Sequence, residues 1–213
     1  NVAVGYEAGK EVTTGIHNTL IGAFAGDNLA GGGNNVAIGN YALSTEDTHG
    51  RNVAVGYGAL TTQDAGAEAY NVAVGYLAGT AVTTGVRNVL IGGLAGDALT
   101  TGGYNTAIGY QALSTEDAHG YNTAIGYAAL IAQDAGADAY NTAVGYYAGV
   151  AVTTGVQNTL IGGLAGDALT TGARNIAIGY AALSTEDTGG HNVAIGRNAL
   201  ATLDAGADGH NVA

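Results

Sequence analysis

Asn1-Val2-Ala3-Val4-Gly5-Tyr6-Glu7-Ala8 opens the chain, and its pattern, Asn-(Val/Thr/Ile)-x-(Val/Ile)-Gly-x-x-Ala, returns without a gap to the end. The Asn stands at 1, 18, 35, 52, 71, 88, 105, 122, 141, 158, 175, 192 and 211. The spacings run 17, 17, 17, 19 and repeat that set twice more, giving 70-residue super-repeats at 1–70, 71–140 and 141–210. Self-similarity at a short fixed period is the mark of a stacked-repeat architecture. Val, Thr and Ile are stiff at χ1 and favour extended backbone, and the Gly that follows them suits a bend. Several Gly in every unit argue against a helix. One strand in 17 residues cannot bury itself, but strands stacked in register at about 4.8 Å per rung can. The sequence therefore predicts an all-β fold, a parallel β-solenoid or β-roll of twelve 17/19-residue rungs from Asn1 to His210, as a single repetitive segment over residues 1–213.

Within Asn-Val-Ala-Val-Gly the two Val point to one side and Ala with Gly to the other. Neither side is polar, whereas a strand buried on one face alone alternates apolar with polar residues. One side is expected to line the roll, where small residues let the opposite wall approach. The other needs a cover, and a second copy of the chain is the simplest. The repeated Asn is expected to build an amide ladder while tolerating a turn conformation.

Composition narrows the function. There are 38 Gly and no Pro, Cys, Met or Trp, so disulfides and thiolate metal sites are excluded. Net charge is −12, which disfavours nucleic acid and anionic membrane surfaces as partners. No apolar run approaches the ~18 residues needed to span a bilayer. The repeat runs from end to end, so export and attachment regions are expected outside this segment. The His residues fall at no defined spacing from a nucleophile, and Ser44, Ser114 and Ser184 lie in acidic loops, so no catalytic constellation stands out. Nor does any His pair have metal-ligand spacing.

The phrases Val36-Ala37-Ile38-Gly39-Asn40-Tyr41-Ala42 and Thr106-Ala107-Ile108-Gly109-Tyr110-Gln111-Ala112 resemble the head repeats of trimeric autotransporter adhesins, the YadA-like heads. Fibrous phage tail proteins carry similar repeats. The resemblance covers the whole chain, although the family's repeat is shorter. It implies a left-handed parallel β-roll, three chains side by side, and a non-enzymatic role as an adhesive or spacer fibre on a cell surface or virion. A host glycan or protein is then the expected external partner.

Two further features carry expectations. The residue before each Asn is bulky and polar or amphipathic, Tyr70, Tyr104, Tyr121 and Tyr140 among them; these four are candidate partner contacts, since Tyr is favoured at interfaces. Asp47 and Asp64 each lie twelve places after their rung Asn, as do Asp117 with Asp134 and Asp187 with Asp204. If the rungs stay aligned, paired carboxylates stack one rung apart with Glu46 and Glu68 nearby, and Ca²⁺ is the natural counter-ion. The two extra residues of the fourth rung work against that alignment. A calcium-binding, ice-binding or filament-forming solenoid is the alternative reading. For ice, Thr13-Thr14, Thr83-Thr84 and their like recur in two rung types of four, but no Thr-x-Thr strand repeats.

Overall fold

The computed structural model describes residues 1–213 except Asp47, Ala205 and Ala207. Twelve strands of three residues run from β1 (Val2–Val4) through β6 (Val89–Ile91), β7 (Thr106–Ile108) and β8 (Thr123–Ile125) to β12 (Val193–Ile195). They pair in sequence order into one parallel sheet, a β-solenoid of about 11 turns. No described residue is helical. Pairing is residue for residue across each period: Thr106 sits on Thr123, Ala107 on Ala124 and Ile108 on Ile125. The loops follow the same ladder, with Gly9, Glu11 and Thr13 donating backbone N–H to Ala25, Asp27 and Ala30 one rung on. Strands this short persist because every rung repeats the same bonds along its length.

Ala3 of the terminal β1 is exposed, but from β2 to β12 the middle residue of the strand points inward and is fully buried, as with Ala37, Leu90 and Ala107. Its flanking Val, Thr and Ile point outward and stay half-exposed, so the inside and outside of the strand fall where the alternation predicts. The Gly after each strand has φ of 130° to 147°, a region essentially closed to other residues. The next rung also passes so close that a Cβ on Gly109 would lie 2.2 Å from the Gly126 carbonyl oxygen.

The 70-residue period is a packing period. In the second rung type Leu20, Leu90 and Leu160 replace the small inward strand residue, and their δ-carbons fill the space beside one glycine of the preceding turn and one of their own. A Cβ on Gly79 would lie 2.6 Å from Leu90 Cδ1, and one on Gly96 would lie 2.7 Å from Cδ2. In the third and fourth rung types that Gly position becomes buried Leu43 and Leu60. Large and small residues thus interdigitate between turns, as close packing requires. Leu90→Ala is expected to cost about 2–5 kcal/mol. The check is a denaturant melt, in which the midpoint should fall while the slope stays unchanged.

The Asn column bonds differently from a side-chain amide ladder. Each Asn Oδ1 accepts the backbone N–H of the next Asn at 2.8–3.1 Å. Many of the Nδ2 groups donate to a return-loop carbonyl, as Asn88 does to Gly102 O at 2.9 Å. Nor does the Asn take the turn conformation. Every residue just before it, from His17 to His210, has φ between 49° and 64°. The fourth rung absorbs its two extra residues without losing register, since Val53 still pairs with Val72. The surplus bulges out at Gly66 and Gly136, where an added Cβ would meet nothing within 4 Å.

Candidate functional site in the acidic loops and aromatic corners

Because the bulge leaves the rungs aligned, the predicted carboxylate pairs do meet. Asp117 and Asp134 belong to one cluster whose ligand atoms all lie within 4.8 Å of one another, and Asp187 and Asp204 belong to another. Asp64 sits in a third; its expected partner Asp47 lies outside the described residues. Glu68 is a correction: it is not part of the Asp64 cluster, but pairs with Arg51 and accepts the Tyr70 hydroxyl at 3.0 Å.

Glu46 lies beside the carboxylates as the sequence reading expected, and its copies and two histidines, which that reading did not include, lie there too. Glu46, Glu116 and Glu186 are fully buried and join the clusters. Each closes its own loop, with Oε1 accepting the backbone N–H of His49 (3.2 Å), His119 (3.1 Å) or Gly189 (2.7 Å). His49 joins the Glu46 cluster and His119 the Glu116 cluster, where His119 Nδ1 stands 3.4 Å from Glu116 Oε1. In the first copy the Asn52 amide reaches Glu46 Oε2 at 3.4 Å. In the second, Glu116 Oε2 and His119 Nδ1 are both shielded from solvent with no hydrogen-bond partner. Burial pushes the Glu116 carboxyl above its ordinary value and the Asp134 charge adds to that, while the His119 N–H and imidazole oppose it. The recoverable signal was Glu-Asp-x-His recurring 70 residues apart, with an Asp one rung on. A search for His pairs along the chain misses ligands contributed by successive rungs.

A second set of acids recurs once in each second-type rung. Asp27, Asp97 and Asp167 each keep one oxygen buried and without a partner. Burial raises all three above the ordinary value of 3.8, against a lowering backbone hydrogen bond. A raised folded-state value means that ionisation opposes folding. That penalty is complete above the folded-state value, shrinks as pH falls through it, and vanishes below 3.8. Self-repulsion of the −12 chain weakens in the same direction. The melting temperature is expected to be higher at pH 4.5 than at pH 7.5 in matched salt; a lower one would contradict this.

Of the four candidate tyrosines, the structure stacks three. Tyr104 and Tyr121 lie 5.0 Å apart at 3°, and Tyr121 and Tyr140 lie 4.9 Å apart at 17°. Tyr70 is set apart from them by Arg87, with the Arg51 guanidinium 5.4 Å from its ring centre; Arg87 lies over Tyr104 and bonds its hydroxyl. Their faces cover one another, so the column presents ring edges and hydroxyls. These left-handed positions favour Gly, yet none of the twelve uses it, so the side chains are what the corner retains. A second tyrosine column, unremarked in the sequence, follows the strand Gly: Tyr110, Tyr127 and Tyr146 stack at 5.6 Å steps. The recurring Gly-Tyr after the strand was its signal.

The described surface holds no pocket. No protein-family model, curated protein or solved structure matches the chain.

Proposed function

We propose that the chain is a non-enzymatic structural segment of a fibre, exposed outside the cell or on a virion, in which three parallel copies join through their sheet faces. The left-handed roll and the adhesin or phage-fibre setting in this reading come from the head-repeat resemblance. The observation that carries the assembly is the outward apolar ladder. Ile91 and Ile161 are 37% exposed within the sheet, and the ladder runs over all twelve strands. At about 4.8 Å per rung that is a stripe roughly 58 Å long, and three extended residues make it about 10 Å wide. The resulting ~600 Å² is short of the ~800 Å² per partner of an ordinary stable interface, so the contact extends past the strands onto the residues flanking them. The tyrosine and arginine corners stand free for adhesive contact with a glycan or protein. Small-angle X-ray scattering tests this reading: a cross-section of three bundled rods supports it, and that of one rod counts against it.

One observation favours ice binding as a second reading. Thr106, Thr123, Thr142 and Thr159 are register partners in four successive strands, an unbroken outward column beside Ile and Val. Thermal hysteresis in a solution of the chain would favour it over assembly; its absence removes it.

A further inference from the structure

We propose that Glu116, Asp117, His119 and Asp134 bind a divalent transition-metal ion of the zinc class. Two observations within the cluster, beyond the gathering of acids, point to a cation. Glu116 is fully buried, yet its Oε2 has no hydrogen-bond partner, and a buried carboxylate oxygen without a donor calls for a positive charge. His119 Nδ1, also shielded from solvent, faces that same carboxyl from 3.4 Å at Oε1.

The donor set decides the ion. Imidazole with carboxylates suits zinc and its neighbours, whereas calcium and magnesium take oxygen alone. Ligand atoms round a tetrahedral zinc lie about 3.3 Å apart, so a cluster within 4.8 Å must contract by roughly 1.5 Å at most. Asp117 and Asp134 are exposed and free to swing, while Glu116 and His119 are held by the loop. The solenoid provides its own control. The third copy, Glu186 with Asp187 and Asp204, has Gly189 at the place of His119 and so lacks the nitrogen donor.

The test is calorimetric titration of the full chain, stripped with chelator, using Zn²⁺ alone and then Ca²⁺ alone. His119→Gly copies the third cluster's own residue, so its loop keeps a conformation the chain already uses. Relative to the parent, His119→Gly should take up one zinc ion fewer. Circular dichroism should show the fold unchanged. Asp134→Asn, at an exposed position, should weaken zinc at one site by about tenfold or more. Zinc uptake unchanged in His119→Gly, no uptake at millimolar Zn²⁺, or binding of Ca²⁺ alone would each overturn the proposal.

Discussion

Gly109→Ala is expected to destabilise the rod by about 4 kcal/mol or more, among the largest effects of any single methyl group. Two penalties coincide there. The backbone stands at φ 137°, where a Cβ is strained whatever the space around it. The added carbon would also meet the Gly126 carbonyl at 2.2 Å, and that oxygen belongs to the next rung's backbone, not to a side chain able to swing away. The rung cannot retreat without lengthening bonds such as that from Gly126 N–H to Ile108 O, now 2.7 Å. Stability in a stacked array is carried between nearest neighbours, so damage between β7 and β8 divides the rod into two shorter stacks. The melt should move down and broaden or split. Gly136→Ala is the control. It also has positive φ, 67°, but lies in open space, so only about 1 kcal/mol is expected there. Equal effects at the two sites would mean that rung-to-rung approach does not limit the fold.

Ile108→Asp should leave each chain folded and abolish its assembly. The side chain lies in the outward column between Ile91 of β6 and Ile125 of β8, half-exposed in the single chain. A carboxylate there remains hydrated in a lone rod. At a closed sheet-face interface it becomes a buried charge with no partner, costing about 3–5 kcal/mol per chain. Three chains bring three such charges to the same level, and like charges at close range add to the cost. Ile108→Thr places in this column a residue that strands already carry two positions earlier, and it should weaken assembly far less. If Ile108→Asp changes the circular dichroism spectrum along with the mass, the position supports the fold itself.

The rung period, the strand positions, the parallel register and the sidedness of Ala against Val and Ile were all legible in the sequence, because strand geometry alone fixes them. Chain path in the loops was not. Whether Glu116 points inward or to solvent depends on the turn that follows it, and a carboxyl able to cap the His119 N–H can be drawn inside. The left-handed residue before each Asn was hidden for a related reason: Tyr, Arg and Gln carry no signal for positive φ, and the conformation is imposed by neighbouring rungs. The alternation of Leu90 with Gly79 and Gly96 was written in the super-repeat, but only contact between turns explains why four rungs make one period. The outer tyrosine column escaped notice because Gly-Tyr reads locally as a turn.

The open sheet face as an interface between copies is tested most directly by sedimentation equilibrium of the purified chain at micromolar concentration. The expected mass is three times that of the 20.8 kDa chain, falling to the single-chain value for Ile108→Asp. A folded parent species that stays at 20.8 kDa across that range would contradict it.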